Sequence, residues 1–153
     1  MNGPNLCLSD TLIIGVDPGE TCGMACLNAG TEFWSEGLPF LAALDRLDAL
    51  TYGQGRRVII SVERFTPSGK SAMTAQVHAL EFIGAARFIA RKTQALRFMV
   101  VGASDAQRLV DRETLKTLGW WTPGVDHVNQ AAAQVAYALA MTLPDEFARM
   151  CGV

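Results

Sequence analysis

Apolar residues in this chain occur either in short continuous runs or in longer stretches with helical spacing. The continuous runs at Thr11–Asp17 and 58–62 predict strands that are buried on both faces. Residues 24–28 and 31–36 flank a glycine-containing turn and predict two strands that form an antiparallel meander with the first. A further apolar run at 96–101 predicts a fifth strand.

Helical spacing of apolar residues predicts helices over 38–50, 71–92 and 126–141, and residues 104–118 are predicted to be helical with a break near Asp111. The predicted order is β-β-β-α-β-α-β-α. This order indicates an α/β fold in which a five-stranded mixed sheet, with three antiparallel strands and then two parallel ones, is flanked by helices.

The length of 153 residues suits one domain, which we expect to span 11–153 after a flexible leader at 1–10. Pro144 is expected to end the last helix, leaving a short tail. Half of the residues are hydrophobic and 18% are charged, which excludes a disordered chain. The net charge of −2 gives no overall attraction to nucleic acid, so DNA binding would need a local basic patch.

The sequence contains neither a membrane-length apolar run nor a signal peptide. We therefore expect a cytoplasmic protein without a membrane partner. The four cysteines form no CxxC pair and have no histidines at zinc-finger spacing, so we expect them to be reduced.

Each of two predicted strands ends at an acidic residue. Asp17 follows the run LIIGV, and Glu63 follows VIISV. If these strands are parallel neighbours, their ends lie about 5 Å apart. Two carboxylates at that separation repel each other unless a cation lies between them, and hard ions such as Mg²⁺ prefer oxygen ligands. The pattern therefore predicts a metal site.

The first turn of the last predicted helix could complete this acidic cluster. Asp126, Asn129 and Gln130 share one side of the helix, while His127 lies slightly aside. Such a cluster suits two-metal hydrolysis of a phosphodiester, in which one ion activates water and the other stabilises the leaving oxygen.

The phrases IIGVDPG, VIISVERF and GVDHVNQAAAQVAYAL resemble the RuvC-type Holliday-junction resolvases, including their short phage-encoded branch, and the element order resembles their RNase H-like fold. The resemblance extends from Leu12 to about Leu143. It implies a homodimeric endonuclease in the cytoplasm, that of a bacterial host if the protein is phage-encoded. It also implies two Mg²⁺ or Mn²⁺ ions per site and a four-way DNA junction as substrate.

The resemblance places Asp17 and Glu63 at the family's first two catalytic acids. For the last helix two registers remain open, because the family pattern of an acid or histidine followed three residues later by an acid fits Asp126 with Asn129 or His127 with Gln130. Either register ends in an amide, which can still bind a metal but brings no charge. The alternative function is therefore a catalytically impaired protein that binds branched DNA.

Candidate DNA contacts follow Glu63 directly in the sequence. Arg64 and Lys70 flank a polar loop and could hold phosphates beside the metal ions. Phe65 either enters the DNA, as an aromatic residue of this region does in the family, or packs in the core. The helix predicted at 71–92 carries more apolar residues than one core face needs, and the resemblance implies that it forms the homodimer contact.

A third hypothesis comes from another class of protein. The actin and sugar-kinase fold also begins with a strand that leads into an acidic, glycine-containing phosphate turn. Proteins of that class need two such domains, and 153 residues have room for one.

Overall fold

The architecture comes from a computed structural model that describes residues 6–53, 57–65 and 73–153. Five strands form one sheet, and six helices are described beside it. The strands are β1 Thr11–Asp17, β2 Thr21–Asn28, β3 Glu32–Pro39, β4 Arg57–Arg64 and β5 Arg97–Gly102. The helices are α1 Phe40–Thr51, α2 Met73–Lys92, α3 Ala103–Leu109, α4 Arg112–Thr117, α5 Asp126–Thr142 and α6 Pro144–Cys151.

The sheet has the order β3-β2-β1-β4-β5. Strand β1 pairs antiparallel with β2, which pairs antiparallel with β3. Strand β4 runs parallel to β1, with Val62 beside Val16, and β5 runs parallel to β4. The predicted mixed sheet, its three antiparallel strands and its two parallel ones are therefore confirmed.

Strands β1 and β4 are buried on both faces because helices cover both sides of the sheet. Ile13 and Ile59 face the layer formed by α5, where half of the buried positions are alanine. Ile14 and Ile60 point the other way and pack with residues of α1 and α2 such as Phe82. This explains why the two strands read as continuous apolar runs rather than as an alternating pattern.

Several element boundaries differ from those predicted. Strand β2 begins at Thr21 rather than at residue 24, and β3 continues to Pro39, because Thr21 pairs with Pro39 and Gly23 with Gly37. Helix α1 consequently begins at Phe40 rather than at residue 38. The expectation of a short tail after Pro144 is wrong, since residues Pro144–Cys151 form α6 with proline in its first turn.

The break predicted near Asp111 is confirmed, because α3 ends at Leu109 and Asp111 caps α4 by accepting a hydrogen bond from the Thr114 N–H. In the segment that we expected to be a leader, Leu8–Asp10 forms a short 3₁₀ turn and Leu8 is buried in the core. Across the described residues, no helix is both long enough and apolar enough to cross a membrane.

Candidate active site

Asp17 is the last residue of β1, and its side chain is only 13% exposed. The preceding run is held on both sides by β2 and β4, so the position of the carboxylate is set by the centre of the sheet. Burial raises the pKa of Asp17, while the hydrogen bond and charge of His127 oppose that rise. The sheet therefore presents a carboxylate that has lost part of its hydration.

Glu63 lies near the end of β4, beside the end of β1. Its pKa rises to about 7, first because of burial and then because of the negative charge of Asp17, with His127 acting in the opposite direction. The buried Oε2 atom of Glu63 has no hydrogen-bond partner among the described residues. Because the charge of Asp17 raises the cost of ionising Glu63, the two neighbouring carboxylates form a site that a cation would stabilise.

His127 reaches this pair from the first turn of α5. Its Nδ1 atom lies 2.9 Å from Oδ2 of Asp17, which is hydrogen-bond distance. The side chain remains 59% exposed. The carboxylate therefore orients the imidazole, while much of the ring stays accessible to a ligand.

Helix α5 can lie this close to the sheet because two strand residues lack side chains. A Cβ atom at Gly23 would overlap the carbonyl group of His127 and lie 3.0 Å from the backbone nitrogen of Val128. A Cβ atom at Gly15 would collide with α5 farther along, 2.8 Å from the backbone nitrogen of Val135. The sequence signal for both roles is the glycine itself, since a glycine inside a strand is a known sign of close backbone approach.

A buried polar contact sets the position of α5 relative to β4. The Ser61 hydroxyl donates a 2.7 Å hydrogen bond to Oε1 of Gln134, and both residues are fully buried. Gln134 in turn donates a weaker 3.5 Å bond to the carbonyl oxygen of Val101 in β5. Because Ser61 lies two residues before Glu63, this contact couples the helix to the strand that carries the second acid. No local sequence pattern predicts this contact, since the partners are far apart in the chain.

The acids and the histidine line a cleft of about 570 Å³. Most of the predicted site residues that the structure describes lie along it, namely Asp17, Glu63, Phe65, Asp126, His127 and Gln130. Of the two registers for α5, only His127 with Gln130 has both members in this cleft. Oε1 of Gln130 also accepts a 3.3 Å hydrogen bond from Gln107 on α3.

Asn129, the second member of the other register, does not line the cleft. It is only 5% exposed. Its Nδ2 donates to the carbonyl oxygen of Thr122 and its Oδ1 accepts from the Thr122 N–H, both at 2.8 Å. These two bonds hold the loop before α5 against the helix, so the polar atoms of the Asn129 side chain are directed to that loop.

The three predicted DNA contacts have different positions. Phe65 is half-buried and lines the cleft, which brings it beside the acids. Arg64 is exposed at the end of β4 but does not line the cleft. Lys70 lies outside the described residues, as does Arg56.

The donor set fits a hard divalent ion, although it is not a complete metal centre. The described residues include no group of three or more His, Cys, Asp or Glu side chains arranged to hold a metal. However, the unpartnered Oε2 of Glu63 and the adjoining Asp17 supply the oxygen ligands and negative charge that Mg²⁺ or Mn²⁺ prefers. Asp126, His127 and Gln130 border the same cleft and could add ligands.

Comparison with known proteins gives a match only at the level of structure. No family model matches the sequence, and no curated protein sequence matches it. The structure of T. thermophilus RuvC in complex with a Holliday junction substrate matches with a TM-score of 0.64 and 15% identity, covering 92% of this chain and 96% of that one. A second structure of Thermus thermophilus RuvC matches with a TM-score of 0.57 and 15% identity, covering 85% and 95%.

The chain has the RNase H-like fold of RuvC. The similarity covers almost the whole of both chains. At 15% identity it establishes the fold alone. Any function must be argued from the site.

Proposed function

We propose that this protein is a divalent-metal-dependent endonuclease that cuts four-way or otherwise branched DNA. The observation that carries the proposal is the pair of desolvated carboxylates, Asp17 and Glu63, at adjacent strand ends with His127 hydrogen-bonded to one of them. The fold is shared with a RuvC whose structure includes a Holliday junction substrate, which supports branched DNA as the substrate here.

Each cleft residue has a role that its surroundings permit. Asp17 and Glu63 would bind Mg²⁺ or Mn²⁺ through carboxylate oxygens, with two ions per site as the expected number. Bound ions would activate a water molecule and stabilise the leaving oxygen. Asp17 also orients His127, whose exposed imidazole can bind metal or shuttle protons. Asp126 adds negative charge at the rim, and Gln130 adds a neutral oxygen.

A homodimer would place two such clefts on one branched substrate. Helix α2 exposes Val77, Leu80 and Phe88 at 53%, 58% and 68%, and their spacing puts them on one side of the helix. Gly84 lies on the same side, and a Cβ atom there would meet no atom of the described residues within 4 Å. We propose that this apolar stripe is the contact with a second copy.

Gln130 favours a second candidate, a junction-binding protein with impaired catalysis. Its side chain is neutral where an acid would strengthen cation binding, and its Oε1 already accepts a hydrogen bond from Gln107. Under this alternative the cleft binds DNA but holds its metal ions too weakly for efficient cleavage.

The test is a nicking assay on a labelled synthetic four-way junction with Mg²⁺ and with Mn²⁺, beside a linear duplex. The nuclease proposal expects paired cuts near the branch point that are lost in Asp17→Asn and retained in Asp45→Asn, a matched change on the exposed side of α1. Binding without cuts would instead support the impaired protein. In that case Gln130→Asp, which restores an acid to the cleft, is expected to produce cleavage.

A further inference from the structure

A second recess adjoins the proposed catalytic cleft. It has a volume of about 310 Å³ and lies among α3, the start of α4, the loop before α5 and the first turns of α5. Its apolar surface comes from Val110, Leu115 and Ala133, all of which are at most 3% exposed. The size is at the lower end of small-molecule sites, enough for one planar group but not for a folded segment.

The recess and the cleft share a wall. Asp126 and Gln130 line both spaces. On the recess side Nε2 of Gln107 donates to Oε1 of Gln130, which joins α3 to α5 and leaves amide groups of both residues at the boundary. A DNA strand whose phosphate lies at Asp17 and Glu63 would therefore have its neighbouring nucleotide at the mouth of the recess.

One side of the recess is flat and carries a delocalised cation. The guanidinium carbon of Arg112 lies 4.8 Å from the ring centroid of Trp121, so the two planar groups form a cation–π pair. Trp121 is half-buried, whereas Trp120 beside it is 5% exposed and stacks on Phe33 in the core. Arginine and tryptophan planes are the surfaces on which unpaired bases stack in nucleic-acid-binding proteins.

The charges of the recess argue against a phosphate as its occupant. Among the residues that the structure describes, two carboxylates, Asp111 and Asp126, line it together with a single cation, Arg112. Asp111 is also held in place, since its Oδ1 accepts hydrogen bonds from the backbone nitrogen and the hydroxyl of Thr114. A phosphate would meet net repulsion there, whereas a neutral base with an amino group could donate to the carboxylates.

We propose that this recess binds an unstacked nucleobase next to the scissile phosphate and that it favours bases with an exocyclic amino group over thymine. The base stacks against the Arg112–Trp121 pair, and the amides of Gln107 and Gln130 contact its edge. This inference rests on the proposed nuclease function, for which it supplies a determinant of where the DNA is cut.

The first experiment measures cleavage of a set of four-way junctions in which each nucleotide flanking the cut is varied through the four bases. We expect one position at which adenine, cytosine or guanine is cut faster than thymine. Gln107→Ala is expected to reduce that preference at least about fivefold, the low end of what one good base-edge contact contributes. Arg112→Ala is expected to reduce the preference as well, because a base that no longer stacks in the recess is no longer selected by its edge. Arg149→Ala, which removes an exposed arginine on α6, is the matched control and should keep the preference.

A second experiment separates failure of the recess from failure of the nuclease proposal. Single-stranded hexamers of dA, dC or dT are titrated in EDTA while the indole N–H signal of Trp121 is followed by NMR. Shifts with dA and dC that exceed those with dT, and that disappear in Arg112→Ala, would support the recess even if no junction were cut. Equal shifts with all three, or junction cleavage whose base preference survives both recess variants, would overturn it.

Discussion

Replacing Gly23 with alanine is expected to separate His127 from Asp17. The added Cβ atom would overlap the carbonyl group of His127, which belongs to the backbone at the start of α5 and cannot move by a change of side-chain rotamer. Reaching ordinary van der Waals contact requires the helix start to shift by more than about 1 Å. The Asp17–His127 hydrogen bond is 2.9 Å long, so such a shift would break it.

Two magnitudes follow from this displacement. Inserting a methyl group into a packed helix–sheet contact destabilises a protein by about 1–3 kcal/mol. A misplacement of about 1 Å in an active site can reduce the rate about 100-fold. We therefore expect Gly23→Ala to fold with reduced stability, to bind junction DNA and to lose most of its cleavage activity.

The matched control is Gly37→Ala. Gly37 pairs with Gly23 across the β2–β3 ladder, but within the described part of the chain a Cβ atom there would meet only the methyl group of Thr21, at an ordinary 3.9 Å. Urea denaturation gives the free energy of unfolding for both variants, and a labelled junction gives their cleavage rates. Because the chain has only two histidines, the imidazole nitrogen signals of His127 can be followed by NMR, with Asp17→Asn as the reference for the broken contact.

The reasoning would be refuted if Gly23→Ala were as stable as Gly37→Ala and left the His127 signals unchanged. Neither measurement depends on nuclease activity. They therefore test how α5 is positioned even if the protein only binds DNA.

Three further predictions concern stability and assembly. In EDTA, the raised pKa of Glu63 means that the folded state binds a proton more tightly than the unfolded state, so the contribution of this residue to stability is greatest below its ordinary pKa of 4.5 and is lost as the pH rises through about 7. Glu63→Gln should remove this pH dependence and raise the free energy of unfolding by about 1–2 kcal/mol at pH 8, a figure that is already reduced for solvent screening. Urea denaturation measures this change, and a lower free energy of unfolding in the variant would contradict the burial argument. Ser61→Ala should cost about 1–3 kcal/mol by leaving the buried Oε1 of Gln134 without its hydrogen bond, and adding Gln134→Leu should recover part of that cost in a double-mutant cycle. Phe88→Glu should give a monomer by sedimentation, whereas Leu109→Glu, at an exposed apolar residue on α3, should not; a dimer in Phe88→Glu would exclude the α2 stripe as the contact.

The local sequence was sufficient to predict the sheet and the positions of the two acids at its centre. Continuous apolar runs of β-branched residues specify strands buried on both faces, and the parallel arrangement of two such strands brings their ends together. Asp17 and Glu63 could therefore be paired in advance, because each is the residue at which an apolar run stops. The last helix was also recognisable from its alanines, although its register against the sheet was not.

Tertiary structure alone decided which residues of α5 face the acids. The choice depends on how close α5 lies to the sheet and on its position along its own axis. Both are set by contacts between residues distant in sequence, namely Gly23 with His127 and Ser61 with Gln134. The same packing directs Asn129 to the loop before α5 and Gln130 to the cleft. Helical periodicity assigns a residue to a side of a helix only to within about one position. Whether a side chain forms a hydrogen bond to Asp17, in contrast, depends on a difference in distance of about one ångström.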